Sequence, residues 1–232
     1  MSSDANVPPS PTLGGDATLL LLLKARTFIA LFAVFVFFAL AAPNFLSVAN
    51  MAILAKHVAL NAILAIGMTF VIITGGIDLS VGSIVGLCGM VAGWLVLHGI
   101  DLSVLGFGYT LWFNTFEIIG LALLVGIVVG AVNGLLITRL NVAPFIATLG
   151  TLYVARGLAL LSSDGGTFPN LNGNPDVGSA SFPALGEGSL LGITWPIWIM
   201  IVLACASAYM AARTPLGRYI YAVGGNERSA AM

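Results

Sequence analysis

From Phe116 to Thr138 the chain reads FEIIGLALLVGIVVGAVNGLLIT, with no charged residue between Glu117 and Arg139. A helix rises about 1.5 Å per residue and a bilayer's hydrocarbon core is about 30 Å thick, so roughly 20 such residues cross it. Working outward, further apolar runs lie at about Thr27–Ala42, Met51–Ile73, Val81–Leu97, Ala143–Leu161 and Leu190–Ala212. The sequence therefore predicts an all-α fold, a polytopic transmembrane helix bundle of about six spans. Composition agrees. The 232 residues are 59% hydrophobic and 7% charged, against about 25% charged in soluble domains, and mean hydropathy is +1.07. A net charge of −1 leaves no basic footprint for nucleic acid. Cys88 and Cys205 both sit in apolar runs, as packed thiols do.

The expected organisation is a cytoplasmic tail over 1–26, a transmembrane domain over 27–212 with an external loop over 162–189, and a cytoplasmic segment over 213–232. The first span could pass for a signal peptide, since Lys24 and Arg26 precede it and Ala39-Leu40-Ala41 resembles a cleavage site. The long leader with Asp4 and Asp16 speaks against that. Positive charge sets the orientation. Lys24, Arg26, Arg139, Arg213, Arg218 and Arg228 fall on one side after an even number of crossings, and that side is read as cytoplasmic, with the N-terminus on it. The opposite loop Ser162–Ser189 carries Asp164, Asp176 and Glu187 but no Lys or Arg, and all four tryptophans (Trp94, Trp112, Trp195, Trp198) fall near the outer boundary. The loop is either a contact for a soluble partner or a passive connector.

Ala122, Gly126, Gly130 and Gly134 recur on one face of the fourth span, and Gly82/Gly86 and Gly89/Gly93 do so in the third. Such faces let a neighbouring backbone approach closely. The most informative local stretch is Gly75-Gly76-Ile77-Asp78-Leu79-Ser80-Val81-Gly82-Ser83. Its glycines can end one helix, and Asp78 or Ser80 can cap the next. A break with an acidic group near or inside the bilayer is either a capped interfacial turn or part of a transport pathway. Gly75, Gly76, Asp78, Ser80 and Ser83 are therefore candidate pathway residues. Arg156, in the outer half of the fifth span, joins them, because an intramembrane charge faces a cavity or a partner. Lys56 and His57 can snorkel to the outer interface. Asn61, Asn133 and Asn141 are expected to hydrogen-bond between helices.

Several chemistries lack their parts. There is no G-x-x-x-x-G-K-[ST] and no G-x-S-x-G, and His57 and His98 do not make metal spacing with the cysteines. No catalytic, metal or cofactor site is expected, and the chain is not expected to be an enzyme. Aquaporin-like channels match in size but resemble one another through paired Asn-Pro-Ala motifs. Here the only Asn-Pro is Asn174-Pro175, in the external loop.

Residues Asn61–Ser83 (NAILAIGMTFVIITGGIDLSVGS) closely resemble permease subunits of bacterial ABC importers for ribose, xylose and related monosaccharides. Asn141–Gly157 (NVAPFIATLGTLYVARG) and Thr214–Ala231 (TPLGRYIYAVGGNERSAA) resemble two further blocks of that family, in the same order. The resemblance implies a pathway-forming subunit of the bacterial inner membrane that works beside a second permease subunit. It also implies a cytoplasmic ABC ATPase holding ATP-Mg and a periplasmic sugar-binding protein. The family usually has about ten spans, so the resemblance implies that this chain, ending at Met232 inside the third block, is C-terminally truncated. The alternative is an ATP-independent secondary transporter or small channel-like protein.

The third block suggests coupling. Pro215 and Gly217 interrupt the helix after the sixth span, Tyr219–Val223 is short and apolar, and Gly224-Gly225 allows a sharp turn. Asn226 can then cap a helix beginning near Glu227. Gly217, Arg218, Gly224, Gly225, Asn226 and Glu227 are accordingly the residues expected to couple the chain to an ATPase.

Overall fold

The structure is a computed structural model that describes residues 13–103, 106–169 and 171–225, with side chains from residue 25 onward. By packing, the chain divides into two units, Met1–Ile53 and Leu54–Met232. In the first, helix α1 runs Leu13–Ala41, so residues 13–26 of the expected tail are helical. Asn44, with φ of 64°, turns the chain after it. The Phe45 ring meets Phe35 edge-on at 5.5 Å and stacks on Phe38 at 6.0 Å. Asn50 donates to the Phe45 carbonyl at 2.7 Å, which fixes the entry into α2 (Val48–Ile73).

The second unit contains the remaining helices. They are α3 (Val81–His98), α4 (Thr115–Thr138), α5 (Pro144–Leu161), α6 (Ala184–Glu187), α7 (Trp195–Arg213) and α8 (Pro215–Gly225). Helices α2, α3, α4, α5 and α7 are each long and apolar enough to cross a membrane, and α1 carries a shorter apolar segment, Ala25–Ala41. An all-α polytopic bundle is the observed architecture. The sixth span starts later than expected, at Trp195. Ser189–Leu190 (β3) instead pairs with Ile193–Thr194 (β4) across Leu191 and Gly192, both with positive φ (55° and 78°). Two central residues of that geometry make a tight hairpin turn, and Pro196 in the first turn of α7 suits a helix start. Hydrophobicity alone does not distinguish these apolar residues from a helix.

Helices α3, α4 and α5 pack as the centre of this unit. Leu87 of α3 meets Ala155 and Ala159 of α5, with Val125 and Val129 of α4 alongside. The glycine stripe of α4 has two uses. A Cβ at Gly126 would lie 3.4 Å from the Cys88 sulfur, so that glycine serves the α3–α4 contact, whereas Gly130 and Gly134 have open space beside them.

At one end of these helices a second hairpin, Ile100–Asp101 (β1) with Thr110–Leu111 (β2), joins α3 to α4. The segment after α5 folds back over the same end. Leu171 and Phe182 pack on a cluster of Ala92, Leu95, Val96 and Ile118. The Thr115 hydroxyl meets Ser181 at 2.9 Å, and Ser179 is buried. The segment is thus an ordered cap rather than a loose connector. Gly93 makes room for it, since a Cβ there would stand 2.8 Å from Phe168. Gly93→Val should expel Phe168 at a cost of about 1–3 kcal/mol. Limited proteolysis should then cut within residues 162–189 several-fold faster than in the wild type, while α3–α5 stay protected.

Candidate translocation site

At the opposite end of the second unit, α2 stops through a pair of reversed hydrogen bonds. Gly76 donates to the Val71 carbonyl at 2.9 Å and Gly75 to Ile72 at 3.0 Å. Gly75 takes φ of 78°, the left-handed geometry that such a helix end demands and that glycine supplies without strain. The chain then runs without helix to Ser80, and α3 begins at Val81. Ser80 makes no side-chain capping bond to α3. Instead the Asp78 carboxylate accepts from the Ser80 backbone N–H at 2.8 Å and from the Ser80 hydroxyl at 2.6 Å.

That short turn anchors a polar chain through the packed helices. Asn133 of α4 donates to the Ser80 hydroxyl oxygen at 3.0 Å, and Thr151 of α5 donates to the Asn133 carbonyl oxygen. Every donor in the sequence Thr151, Asn133, Ser80 points towards Asp78, so each bond polarises the next. Thr148 of α5 adds a bond to the Ile77 carbonyl at 3.3 Å. Ser80, Asn133 and Thr148 are buried. Buried polar groups in hydrocarbon need partners, and here α4 and α5 provide them to a non-helical segment.

The break opens onto a cavity of about 700 Å³. Thr74, Gly75, Gly76 and Asp78 form one wall. Gly130, Asn133 and Gly134 of α4, with Asn141 and Thr148, form another. Gly130 and Gly134 therefore hold this space open. Val223 of α8 also lines it.

Of the expected pathway residues, Gly75, Gly76 and Asp78 line this cavity and Ser80 sits in the polar chain behind it. Ser83 and Arg156 lie elsewhere, together. They line a separate cavity of about 410 Å³ between α3 and α5, with Gly82, Gly86 and Leu152. Asn133, Thr148 and Thr151 were not expected as members of the site. A single Asn in an otherwise apolar span marks a hydrogen bond but not its partner.

The coupling block also differs from expectation. The interruption falls at Thr214, whose φ of −104° and ψ of 157° end α7, and Pro215 through Gly225 form one helix. Gly224 and Gly225 are therefore helical and not a turn. Proline is tolerated in a first helical turn, so Pro215 begins α8 rather than breaking it. Gly217 packs on the end of α7, where a Cβ would lie 2.3 Å from the Ala211 carbonyl oxygen. Gly224 presses on the end of α2, where a Cβ would lie 1.8 Å from the Ile73 oxygen. Among the described residues nothing lies close to a Cβ at Gly225, and Arg218 is exposed. Asn226 and Glu227 lie outside the described residues.

Residues 50–232 match the family described as branched-chain amino acid transport system / permease component. The chain is 38% identical over 207 residues to the ribose import permease protein RbsC of Haemophilus influenzae, covering 89% of this chain and 59% of that protein. It is 39% identical over 211 residues to RbsC of Bacillus subtilis, with the same coverage. The L-arabinose ABC transporter permease protein AraH of Azospirillum brasilense is 33% identical over 231 residues, covering 99% of this chain and 61% of that protein. The chain thus spans about three fifths of the length of these relatives. No solved structure matches it. Beside a bundle of apolar helices with a helix break braced by polar side chains stands the match over residues 50–232, and by that match this chain is a member of that membrane permease family.

Proposed function

We propose that this chain forms part of the translocation pathway of an ATP-binding cassette importer for a monosaccharide of the ribose or arabinose kind. The observation that carries the reading is the cavity at the Gly75–Asp78 break, with Val223 of α8 in its wall. Non-helical backbone at membrane depth is tolerated where it lines a cavity, and interrupted helices commonly form transport sites. The relatives that import ribose and arabinose by name supply the substrate class.

In this reading α8 lies on the cytoplasmic face of the inner membrane. Leu216, Tyr219 and Tyr221 are exposed on it beside Arg218, a mixed aromatic and basic surface suited to a cleft in a cytoplasmic ATPase. The ATPase holds ATP-Mg, a periplasmic binding protein delivers the sugar, and a second permease subunit completes the pathway. ATP-driven movement of α8 biases the cavity between two states, which is a coupling free energy between distinct sites. Asp78 and the polar chain behind it keep the broken segment in register while α8 moves.

Reconstitution with ATPase and binding protein tests this reading. ATP-dependent uptake of labelled ribose or arabinose supports it. Uptake of leucine alone, or sugar uptake that continues without ATP, rejects it. Orientation has its own test. Ser189→Cys should react with an impermeant maleimide from the periplasm, and Ala222→Cys only after the membrane is opened. The reverse pattern would invert the topology.

A further inference from the structure

A third cavity, of about 690 Å³, lies at the cap end of α2. Lys56, Leu60 and Ile63 of α2 form one side, Pro196 and Ile199 of α7 form another, and the cap segment supplies Phe168, Asn172, Phe182 and Glu187. Lys56, Leu60 and Ile63 share one helical face, and Ile63 lies about 10 Å deeper than Lys56 at 1.5 Å per residue. The cavity is therefore an open groove that runs along α2 between it and α7.

Its chemistry is selective. Lys56 and Glu187 line the same space yet form no ion pair with each other within 4.0 Å. One offers donors and the other acceptors, while the two phenylalanines supply apolar wall. A neutral polyhydroxylated ring matches that arrangement, because its hydroxyls both donate and accept and its C–H face packs on aromatic rings. We propose that this groove is the receiving site for the monosaccharide on the periplasmic face, before the sugar reaches the Gly75–Asp78 cavity. Lys56 donates to ring hydroxyls, Glu187 accepts from them, and Phe168 and Phe182 hold the apolar face. The inference rests on the import of a monosaccharide proposed above.

The test uses the chain assembled with its ATPase and binding protein in proteoliposomes. Lys56→Met and Glu187→Gln should each lower ribose or arabinose uptake at least tenfold. Stimulation of ATP hydrolysis by the loaded binding protein should stay within twofold of wild type, which shows that both variants fold and assemble. A second measurement needs no activity from the variant. Glu187→Cys should react with maleimide, and millimolar ribose or arabinose should slow that reaction at least threefold whereas leucine should not. Uptake within twofold of wild type in both charge variants overturns the receiving site, as does protection by leucine instead of sugar. A wild-type assembly that imports no sugar rejects the monosaccharide reading itself, and this assignment falls with it.

Discussion

Gly224→Val is expected to abolish sugar uptake while leaving insertion and ATPase binding intact. A Cβ at that position would stand 1.8 Å from the Ile73 oxygen, and that oxygen is backbone at the end of a helix, unable to swing aside. The clash must move α8 away from α2, with a penalty of about 3 kcal/mol at the upper end for overpacking. Spent on the equilibrium between two transport states, that is about 100-fold. The neighbouring Gly225→Val is the internal control, because among the described residues nothing lies within 4 Å of its would-be Cβ. Both substitutions place a β-branched residue in the same short helix, so propensity affects both alike. ATP-dependent uptake in proteoliposomes should fall by two orders of magnitude in the first variant and by less than threefold in the second. Equal losses would mean that the segment matters only as a helix, and equal activity would remove the α8–α2 contact from the coupling route.

The second large effect is expected at Asp78. Asp78→Leu strips the acceptor from both the backbone N–H and the hydroxyl of Ser80, and Ser80 is buried. Each buried donor left without a partner costs about 1–3 kcal/mol, so the broken segment should lose its fixed shape. Uptake should drop at least tenfold, and the variant should aggregate on heating several degrees below the wild type. Asp78→Asn keeps an acceptor oxygen and should retain much of the activity. A double-mutant cycle between Ser80→Ala and Asn133→Leu then measures the bond between the broken segment and α4 itself. Interhelical hydrogen bonds in membranes are worth about 0.6–2 kcal/mol, and a coupling energy in that range is expected. A null coupling, or wild-type behaviour of Asp78→Leu, would reduce the network to an incidental contact.

Most of the helices were legible as apolar length. A run such as Phe116–Thr138 has few alternatives, because the bilayer admits only segments that satisfy their own backbone. The break at Gly75 was legible for a similar local reason, since paired glycines followed by Asp-Leu-Ser encode a helix end within a few residues. The resemblance of three blocks to sugar permeases pointed to the family that the comparison then showed.

What required the tertiary structure was which local signals meet. Asn133 and Thr151 lie 18 residues apart, and Asn133 and Ser80 lie 53 apart. Nothing in the spacing joins them, because the join depends on how α3, α4 and α5 pack. The glycine stripe of α4 looked uniform in sequence, yet Gly126 meets Cys88 and Gly130 and Gly134 face a cavity. Leu190–Ile193 looked like the start of a span, and two positive φ angles made it a hairpin. The Gly224-Gly225 pair read as a turn, and both residues belong to α8, with only the first pressed against α2. Sequence alone determined which segments are apolar enough to cross a membrane and that α2 must end by Gly75, because solvent transfer and backbone geometry act within one segment. Which side chains share a cavity was decided by packing, because close approach is a property of two surfaces and neither segment encodes it alone.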